Sequence, residues 1–359
     1  MRHGPKHPFG VVLVGTGLAA AMHARALQRV PSANLVGVLG SSPVRGEAFA
    51  RCHGLARAYG DLDALCRDAR IEVVHLCTPP HTHLALTTAL VAVGKHVLVD
   101  KPLARTVAEA DRMIEAAERA GVQLGGLFQH RFIPMVRRVH DAVAAGEIGR
   151  LFLVDCSVKW WRDDAYFSGS SWRARKETEG GGAMINQAIH SIDLLQWIAG
   201  PVTEVTAHVE TVLHPIATED LGVAMLRLGE QGRCWGVVQG STAVYPGMPE
   251  RLELHGTLGT IILDEGRRRA EYLVRGKPPR VDRGGPAQGN ASDPAAVSPR
   301  AHALAFSDFL RAVDLGRRPE VDGHEARKAL QVVEAIYRSS RSGGRRATLL
   351  RRTERPIIP

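Results

Sequence analysis

Two segments of the chain carry the side chains best suited to proton transfer on a small substrate. The first is Val99–Pro102, in which Asp100 and Lys101 follow a short apolar run. A lysine can polarise a hydroxyl group or share its proton, and burial favours this by lowering the lysine pKa. The segment therefore predicts a lysine at a reaction centre, although an ordinary surface lysine before a proline has the same local sequence.

The second segment is glycine-rich and leads into a predicted helix, Ala183–Ile198. Asn186, His190 and Asp193 stand four and seven residues apart, which places them on one face of that helix. A histidine held in a fixed orientation is a good general acid or base near neutral pH. We therefore predict a proton-transfer site on this face, while a helical histidine taken alone is more often structural.

A glycine loop near the start of the sequence predicts a dinucleotide site. Gly15, Gly17 and Ala20 have the G-x-G-x-x-A spacing, after a predicted strand and before a helix. Gly15 permits a tight turn, and Gly17 lets the backbone approach a pyrophosphate, which the helix N-terminus then binds. The residues expected to contact the cofactor here are Gly15, Thr16, Gly17, Leu18 and Ala19.

The end of the second predicted strand bears on the choice between NAD and NADP. An NAD-selective site usually has Asp or Glu there, about 20 residues after the loop. This chain has Ser41, Ser42 and Arg45 instead, and these side chains could hold a 2′-phosphate. The predicted cofactor is NAD or NADP with a slight preference for NADP; the alternative is that Arg45 is a solvated helix residue.

Alternating strands and helices are expected to position these segments. Apolar runs of strand length alternate with helical patterns through the first third of the chain, which predicts βαβ units and a parallel sheet. The predicted strands are Phe9–Val14, Leu35–Leu39, Val73–Cys77, His96–Val99 and Gln123–Phe128. The predicted helices are Ala19–Val30, Val44–Cys52, Leu84–Val93 and Val107–Ala120. Because ligands bind outside the carboxyl ends of such strands, Lys101 is expected beside the cofactor.

The rest of the chain is predicted as a second domain. It is mostly strand-like with few helices, which favours a mostly antiparallel sheet. The predicted strands are Leu151–Val158, Val202–Val212, Leu221–Leu228, Arg233–Ser241, Arg251–His255 and Thr260–Leu263. Lys277–Arg300 is predicted as a surface loop, and His302–Val313 and His324–Ser340 as helices. The predicted fold is an α/β Rossmann domain, residues 1–128, with an α+β domain built on an open sheet, residues 129–359.

Composition argues against several other classes of protein. The 359 residues are 45% hydrophobic with a net charge of +9, which suits a globular chain. No apolar run approaches the ~18 residues of a membrane span, and no secretory signal is visible, so a cytoplasmic location is expected. The excess charge is largely arginine without a basic, aromatic-rich helix, so nucleic-acid binding is not predicted. Neither the five cysteines nor His81 and His83 have metal-ligand spacing, so no metal is predicted.

Taken together, these motifs resemble the glucose–fructose oxidoreductase/inositol dehydrogenase family, also written Gfo/Idh/MocA. The resemblance covers nearly the whole chain. Besides the glycine loop and the glycine-rich helix, it rests on Thr78–His83, Asp100–Pro102, Arg131–Pro134, Glu219–Asp220 and Asp322–Gly323. It adds to the expected cofactor contacts Thr78, Pro79, His83, Asp100 and Lys101.

The resemblance implies hydride transfer between a nicotinamide and a substrate hydroxyl group. It implies Lys101 as the catalytic lysine and His190 as the acceptor of the hydroxyl proton during oxidation. Many family members have Asp four residues before this histidine, where this chain has Asn186. Because Asn cannot act as a carboxylate, Asn186 is expected to bind substrate, orient His190 or touch the nicotinamide. The family also implies a homodimer or homotetramer.

One further segment resembles a subgroup of the family. Lys159–Phe167 and Trp172–Arg173 follow a pattern of dehydrogenases that oxidise the 3-hydroxyl of a nucleotide-linked sugar acid. Aromatic faces and guanidinium groups suit a pyranose ring and an anionic group; aromatic packing at a strand edge is the alternative. The expected substrate contacts are Lys101, Arg131, Trp161, Arg162, Tyr166, Trp172, Arg173, Asn186 and His190.

The leading prediction is an NAD(P)-dependent oxidoreductase acting on a ring hydroxyl of a sugar, sugar acid, nucleotide sugar or cyclitol. Two alternatives remain open: a non-catalytic, dinucleotide-binding regulatory protein, and a glycoside-cleaving enzyme that uses NAD+ in an internal redox cycle. The presence of both Lys101 and His190 argues against the regulatory protein. Cleavage of a C–O bond would identify the glycoside-cleaving enzyme.

Overall fold

The computed structural model describes residues 8–229, 231–264, 268–284 and 299–349. These residues form one sheet of six strands and another of nine. No helix in the described ranges is both long enough and apolar enough to cross a membrane.

The first sheet is parallel throughout. Its strands are β1 (Phe9–Val14), β2 (Ala33–Leu39), β3 (Arg57–Tyr59), β4 (Val73–Leu76), β5 (His96–Asp100) and β6 (Leu124–Leu127). The helices between them are α1 (Leu18–Leu27), α2 (Pro43–His53), α3 (Leu62–Arg67), α4 (His83–Ala92) and α5 (Val107–Ala120). The strand order is β3-β2-β1-β4-β5-β6, so the chain reverses direction across the sheet between β1 and β4. This reversal opens a crevice at the carboxyl ends of those strands.

The predicted parallel sheet is confirmed, with one strand added. All six residues of β1 are buried, which explains its continuous apolar sequence. Strand β3 was not predicted, because it has only three residues and Tyr59 alone is buried, which is too short to show a period.

The second sheet is mixed and mostly antiparallel, as predicted. Its strands are β7 (Leu151–Lys159), β8 (Val202–Glu210), β9 (Leu221–Leu228), β10 (Cys234–Ser241), β11 (Arg251–Gly256), β12 (Gly259–Asp264), β13 (Arg269–Val274), β14 (Arg280–Arg283) and β15 (Ala347–Thr348). The order is β14-β13-β12-β11-β7-β10-β9-β8-β15, with β7 and β10 parallel. Strand β14 corrects part of the predicted loop Lys277–Arg300; residues 285–298 of that loop lie outside the described residues.

The predicted single helix Ala183–Ile198 is wrong. The chain forms α9 (Ala183–Asn186) and α10 (Ile189–Ala199), after the short helices α7 (Asp164–Ser168) and α8 (Lys176–Glu179). The N–H groups of Gln187 and Ala188 both donate to the carbonyl oxygen of Ala183. This shared acceptor widens one turn as a π-bulge does, and it ends the regular helical spacing.

The last helices connect the two sheets. Helix α6 (Pro134–Ala144) follows β6 through a 3₁₀ turn at Gln129–Phe132. Helix α11 (Pro299–Asp314) packs on α1, while α12 (Gly323–Arg341) contacts α5, α10 and β8. The C-terminal helices therefore fix the second sheet beside the carboxyl ends of the first.

Candidate active site

A large cleft lies at the carboxyl ends of the parallel strands. Its volume is about 1180 Å³, and it is lined by strand ends and loops of the first sheet and by loops and helices that follow β6. The loops after β1, β2, β4 and β5 form one wall, and the segment after β7 together with α9 and α10 forms the other. This is the position expected for a ligand of an open parallel sheet.

The glycine loop has the shape that a pyrophosphate requires. Gly15 has a φ of +118°, and a Cβ there would lie 2.5 Å from the carbonyl oxygen of Cys77. Gly17 is the N-cap of α1, without a side-chain cap, and a Cβ there would meet no atom within 4 Å. The first turn of α1 thus presents uncapped N–H groups to the cleft. The predicted cofactor residues that line this part are Gly15, Thr16, Gly17, Leu18 and Ala19.

The end of β2 brings two of the three predicted ribose-binding residues to the cleft. Ser41 and Arg45 line it, and Nη1 of Arg45 donates to Oγ of Ser41 at 3.4 Å. Ser42 is outside the lining; its Oγ accepts from the Arg45 N–H and caps α2. Asp61, the N-cap of α3, also lines this end and was not predicted.

The loop after β4 contributes two of its predicted contacts directly. Thr78 and Pro79 line the cleft, whereas His83 is buried behind it. Nε2 of His83 is 2.8 Å from the carbonyl oxygen of Thr78, and its Nδ1 is 3.1 Å from that of Pro102. His83 therefore ties the loop after β4 to the loop after β5, and burial lowers its pKa.

Lys101 lies at the junction of the two walls. Its Nζ donates to the carbonyl oxygen of Asn186 at 2.5 Å and to Oδ1 of the same residue at 3.2 Å. The preceding Asp100 also lines the cleft and accepts from the Lys101 N–H at 2.8 Å. Burial lowers the pKa of Lys101, and the negative charges of Asp100 and Glu179 oppose this shift.

Asn186 connects Lys101 to a buried carboxylate. Its Nδ2 donates to Oε1 of Glu179, whose Oε2 accepts from the N–H of Ala174 at 2.6 Å. Glu179 is 4% exposed, and burial raises its pKa. A carboxyl group therefore stands next to Asn186, although Asn186 itself has none.

His190 faces the same cleft from α10. Its ring stacks on that of His130, with centroids 4.5 Å apart and an interplanar angle of 9°, and Phe128 meets it edge-on. Burial lowers the pKa of His190 well below its usual value, and the charges of His130 and Lys101 lower it further. His190 is thus neutral near pH 7 and able to accept a proton.

Asn186 and His190 both line the cleft, whereas Asp193, predicted on the same helix face, does not. Asp193 is buried in an ion pair with Arg131, whose Nη2 lies 2.5 Å from Oδ1 and whose Nε donates to Oδ2 at 2.8 Å. Nη1 of Arg131 also contacts Glu325 on α12 at 3.1 Å. The guanidinium of Arg131 thus joins three elements, and Arg131, a predicted substrate contact, is not among the residues that line the cleft.

Guanidinium groups and aromatic rings form the wall that follows β7. Cζ of Arg162 lies 5.3 Å from the ring centroid of Tyr166, and Cζ of Arg173 lies 4.3 Å from it. Arg173 also contacts Trp172, at 4.9 Å. All four line the cleft, as predicted.

The structure corrects Trp161 to Trp160. Residues 160–162 follow β7, with Trp161 in an isolated β-bridge to Ala243. Side chains of extended backbone alternate between faces, so residue 160 shares the face of Arg162 and residue 161 does not. Trp160 lines the cleft with Arg162 above its ring at 4.8 Å, while Trp161 packs on His214 and Tyr245 away from it. The period of two was the signal available in the sequence.

Several other lining residues were also missed: Gln129, His130, Glu179, Gln187 and Glu250. Gln129 and His130 directly precede the motif Arg131–Pro134 but are not part of it. Glu179 directly precedes the three glycines. No sequence pattern that we can identify marks Glu250, which lies on the loop before β11.

Beneath the glycine loop, three potential metal ligands lie together: His23, His75 and Cys77. Nδ1 of His23 is 2.9 Å from Nε2 of His75 and 3.3 Å from Sγ of Cys77. Nδ1 of His75 donates to the carbonyl oxygen of Leu98 at 3.0 Å. Burial lowers the pKa of both histidines, that of His75 to about 3. This neutral hydrogen-bonded chain accounts for the arrangement, and it does not include His81 or His83.

Comparisons with known proteins agree with this geometry. Residues 9–127 match the model of an oxidoreductase family with an NAD-binding Rossmann fold, and residues 136–262 match the GFO/IDH/MocA C-terminal domain. The chain is 28% identical to D-apiose dehydrogenase of Paraburkholderia graminis, over 93% of this chain and 88% of the relative. It is also 28% identical to myo-inositol 2-dehydrogenase of Thermotoga maritima, over 73% and 77% of the two chains.

Solved structures show the same similarity. The WlbA dehydrogenase from Bordetella pertussis, in complex with NADH and UDP-GlcNAcA, superposes with a TM-score of 0.84 at 28% identity. The superposition covers 97% of this chain and 99% of that one. The Rossmann sheet, the mixed second sheet and both matched models lead to one conclusion: the chain is an oxidoreductase that belongs to the GFO/IDH/MocA family.

Proposed function

We propose that the enzyme transfers a hydride between a nicotinamide cofactor and a ring hydroxyl of an acidic sugar, with the 3-hydroxyl of a nucleotide-linked sugar acid as the first substrate to test. The observation that carries this proposal is that Lys101, His190 and two guanidinium groups line one cleft together with the glycine loop. The relative from Bordetella pertussis was solved with NADH and UDP-GlcNAcA, a ligand of this class.

The proton chemistry is divided between Lys101 and His190. The bound nicotinamide supplies the hydride acceptor or donor. During oxidation the substrate carbon loses its C–H bond as a hydride and the hydroxyl oxygen loses its proton, which gives a ketone. Lys101, held by two oxygens of Asn186, donates a hydrogen bond to the reacting oxygen, and the neutral His190 accepts the proton.

Arg162 and Arg173 are proposed to bind the acidic group of the sugar. A guanidinium can hold a carboxylate with two parallel hydrogen bonds, which a neutral hydroxymethyl group cannot form. The rings of Tyr166 and Trp172, which contact Arg173, are proposed to cover the sugar face. Asn186 is proposed to orient Lys101.

Ser41 and Arg45 are proposed to accommodate a 2′-phosphate, so that NADP is accepted as well as NAD. Both residues line the cleft at the end of β2. We expect Arg45→Ala to raise the KM for NADP and to leave the KM for NAD nearly unchanged. Equal effects on both cofactors would refute this part of the proposal.

The outer face of the second sheet is proposed as the contact of a homodimer or homotetramer. It carries exposed apolar side chains at outward-facing strand positions: Val223, Met225, Trp235 and Leu273. Such a patch is unusual on a monomer. Sedimentation analysis of the wild type beside Trp235→Glu tests it, and a wild-type monomer would refute it.

The substrate proposal is tested by following nicotinamide reduction with paired substrates. Sugar acids, free and nucleotide-linked, are compared with the neutral sugars of the same ring configuration and with cyclitols. We expect turnover of an acidic member, with a 3-keto product. Turnover of the neutral members alone would refute the acidic substrate, and products of glycosidic cleavage would indicate an internal redox cycle.

A further inference from the structure

We propose that Glu179 is a positioning residue of the active site, whose carboxylate orients the Asn186 amide so that its oxygen faces Lys101. This inference rests on the proposed function of Lys101 and extends it to a residue outside the predicted site. Glu179 ends α8 and lines the cleft, yet it is almost fully buried.

The hydrogen bonds of Asn186 with Glu179 and Lys101 determine the orientation of its amide. An ionised carboxylate only accepts hydrogen bonds, so the Asn186 group that meets Glu179 must be the amide Nδ2. This orientation turns Oδ1 of Asn186 towards Nζ of Lys101, at 3.2 Å. The N–H of Ala174 holds the other carboxylate oxygen at 2.6 Å and so fixes the carboxyl group itself.

Nζ of Lys101 has three directions in which it can donate hydrogen bonds. The backbone carbonyl and Oδ1 of Asn186 occupy two of the directions in which Nζ of Lys101 can form hydrogen bonds. A third direction remains for a substrate hydroxyl in the cleft. If the amide turned over, its N–H groups would face the ammonium group, and Lys101 would lose one of its two acceptors.

Neighbouring charges also influence the pKa of Lys101. The charges that act on Lys101 are those of Asp100, Glu179 and Glu250, which raise its pKa, and that of Arg173, which lowers it together with burial. His190 lies near enough for Lys101 to lower its pKa in turn. Removing the Glu179 charge therefore lowers the pKa of Lys101.

The direct test is Glu179→Gln, which keeps size and polarity. We expect kcat to fall about tenfold to a hundredfold, as for the loss of a hydrogen bond to a charged group. The dissociation constant of NADH, measured by fluorescence, should stay unchanged. The limb of the kcat–pH profile that reports on Lys101 should move to lower pH. Glu177→Gln, on the same helix but exposed, is the matched control.

Exchanging the carboxylate and the amide between positions 179 and 186 distinguishes a positioning role from a simple loss of structure. The double variant Glu179→Gln with Asn186→Asp keeps an amide–carboxylate pair and returns a carboxylate oxygen to Lys101. Asn186→Asp alone places two carboxylates in contact and should reduce kcat. We expect the double variant to be about tenfold more active than the product of the two single effects predicts. Additive effects would overturn the proposal.

A readout without substrate distinguishes failure of this inference from failure of the proposed function. The rate at which the Lys101 amine is acetylated, followed by mass spectrometry across pH, reports its pKa directly, with Lys101→Ala identifying the signal. Glu179→Gln should lower that pKa. An unchanged value overturns the role of Glu179 even when the wild type turns over an acidic sugar, and a lowered value supports it when no acidic sugar is turned over.

Discussion

His130 and His190 stack face to face across the cleft wall, with ring centroids 4.5 Å apart and planes within 9° of parallel. The pair joins the turn after the last parallel strand to the helix of the second domain. Burial is the main cause of the lowered pKa of His190, and the positive charge of a protonated His130 adds to it. His130 is thus expected to extend the pH range over which His190 is a neutral base.

Removing the charge of His130 while keeping an aromatic ring tests whether His130 lowers the pKa of His190. In His130→Phe the pKa of His190 should rise, so the acidic limb of the kcat/KM profile for oxidation should move to higher pH. His140→Phe is a matched control, because His140 stacks on Trp197 in a similar way, at 4.1 Å and 13°, away from the cleft. A limb that stays in place in His130→Phe would show that His130 has no electrostatic role.

The buried histidines beneath the glycine loop predict loss of stability in acid. Above pH 6.5 His75 is neutral in both folded and unfolded chains and has no pH-dependent effect. Below pH 6.5 the unfolded imidazole binds a proton that the folded one, with a pKa of about 3, does not, so stability falls as the pH falls towards 3.

Thermal unfolding at several pH values measures this effect. Tm should decrease from pH 7.5 towards pH 5, and His75→Leu should make the decrease shallower. His81→Leu, at an exposed position, should keep the wild-type slope. Identical slopes in all three proteins would show that His75 does not contribute.

The guanidinium groups of Arg162 and Arg173 predict that the enzyme prefers negatively charged sugars to neutral ones. Arg173→Gln and Arg162→Gln should each raise the KM for an acidic sugar about tenfold to a hundredfold, the effect of one hydrogen bond to a charged group. The KM for a neutral sugar should change far less. Arg175→Gln, at an exposed position outside the cleft lining, is the control. Equal losses for acidic and neutral sugars would contradict carboxylate recognition.

The buried pair Arg131–Asp193 predicts a large effect on stability. Arg131→Met leaves a buried carboxylate without its main partner, which costs about 3–5 kcal/mol of unfolding free energy. Arg137→Met breaks the more exposed pair with Glu320 and should cost about 1 kcal/mol or less. Urea unfolding compares the two variants. Similar losses would mean that the Arg131 pair is not a principal link between the elements.

The parallel sheet, the glycine loop and the position of Lys101 could be predicted from the sequence. Apolar runs of strand length and the G-x-G-x-x-A spacing are local patterns, and the sheet topology then places the residue after β5 at the cleft. Arg162 and Tyr166 were identified through the resemblance of their segment to a family subgroup, and both line the cleft.

The sequence-based predictions differ from the structure where tertiary contacts determine the position or role of a residue. The spacing of Asp193 assumes a regular helix, whereas the widened turn at Gln187 and Ala188 breaks it. Arg131 has the right chemistry for an anionic substrate, but a protein carboxylate already binds it. Glu179 was missed because its role depends on its contact with Asn186, seven residues away and past a chain of glycines.

The central claim is that Lys101 and His190 carry proton chemistry for a dehydrogenase of acidic sugars. The most direct measurement is nicotinamide absorbance of the wild type, Lys101→Ala and His190→Ala with the substrate panel described above. We predict substrate-dependent reduction by the wild type, a loss of about 10²-fold or more in kcat in both variants, and unchanged dinucleotide binding by His190→Ala. Turnover that survives in either variant, or tight dinucleotide binding without turnover of any substrate by the wild type, would contradict the account.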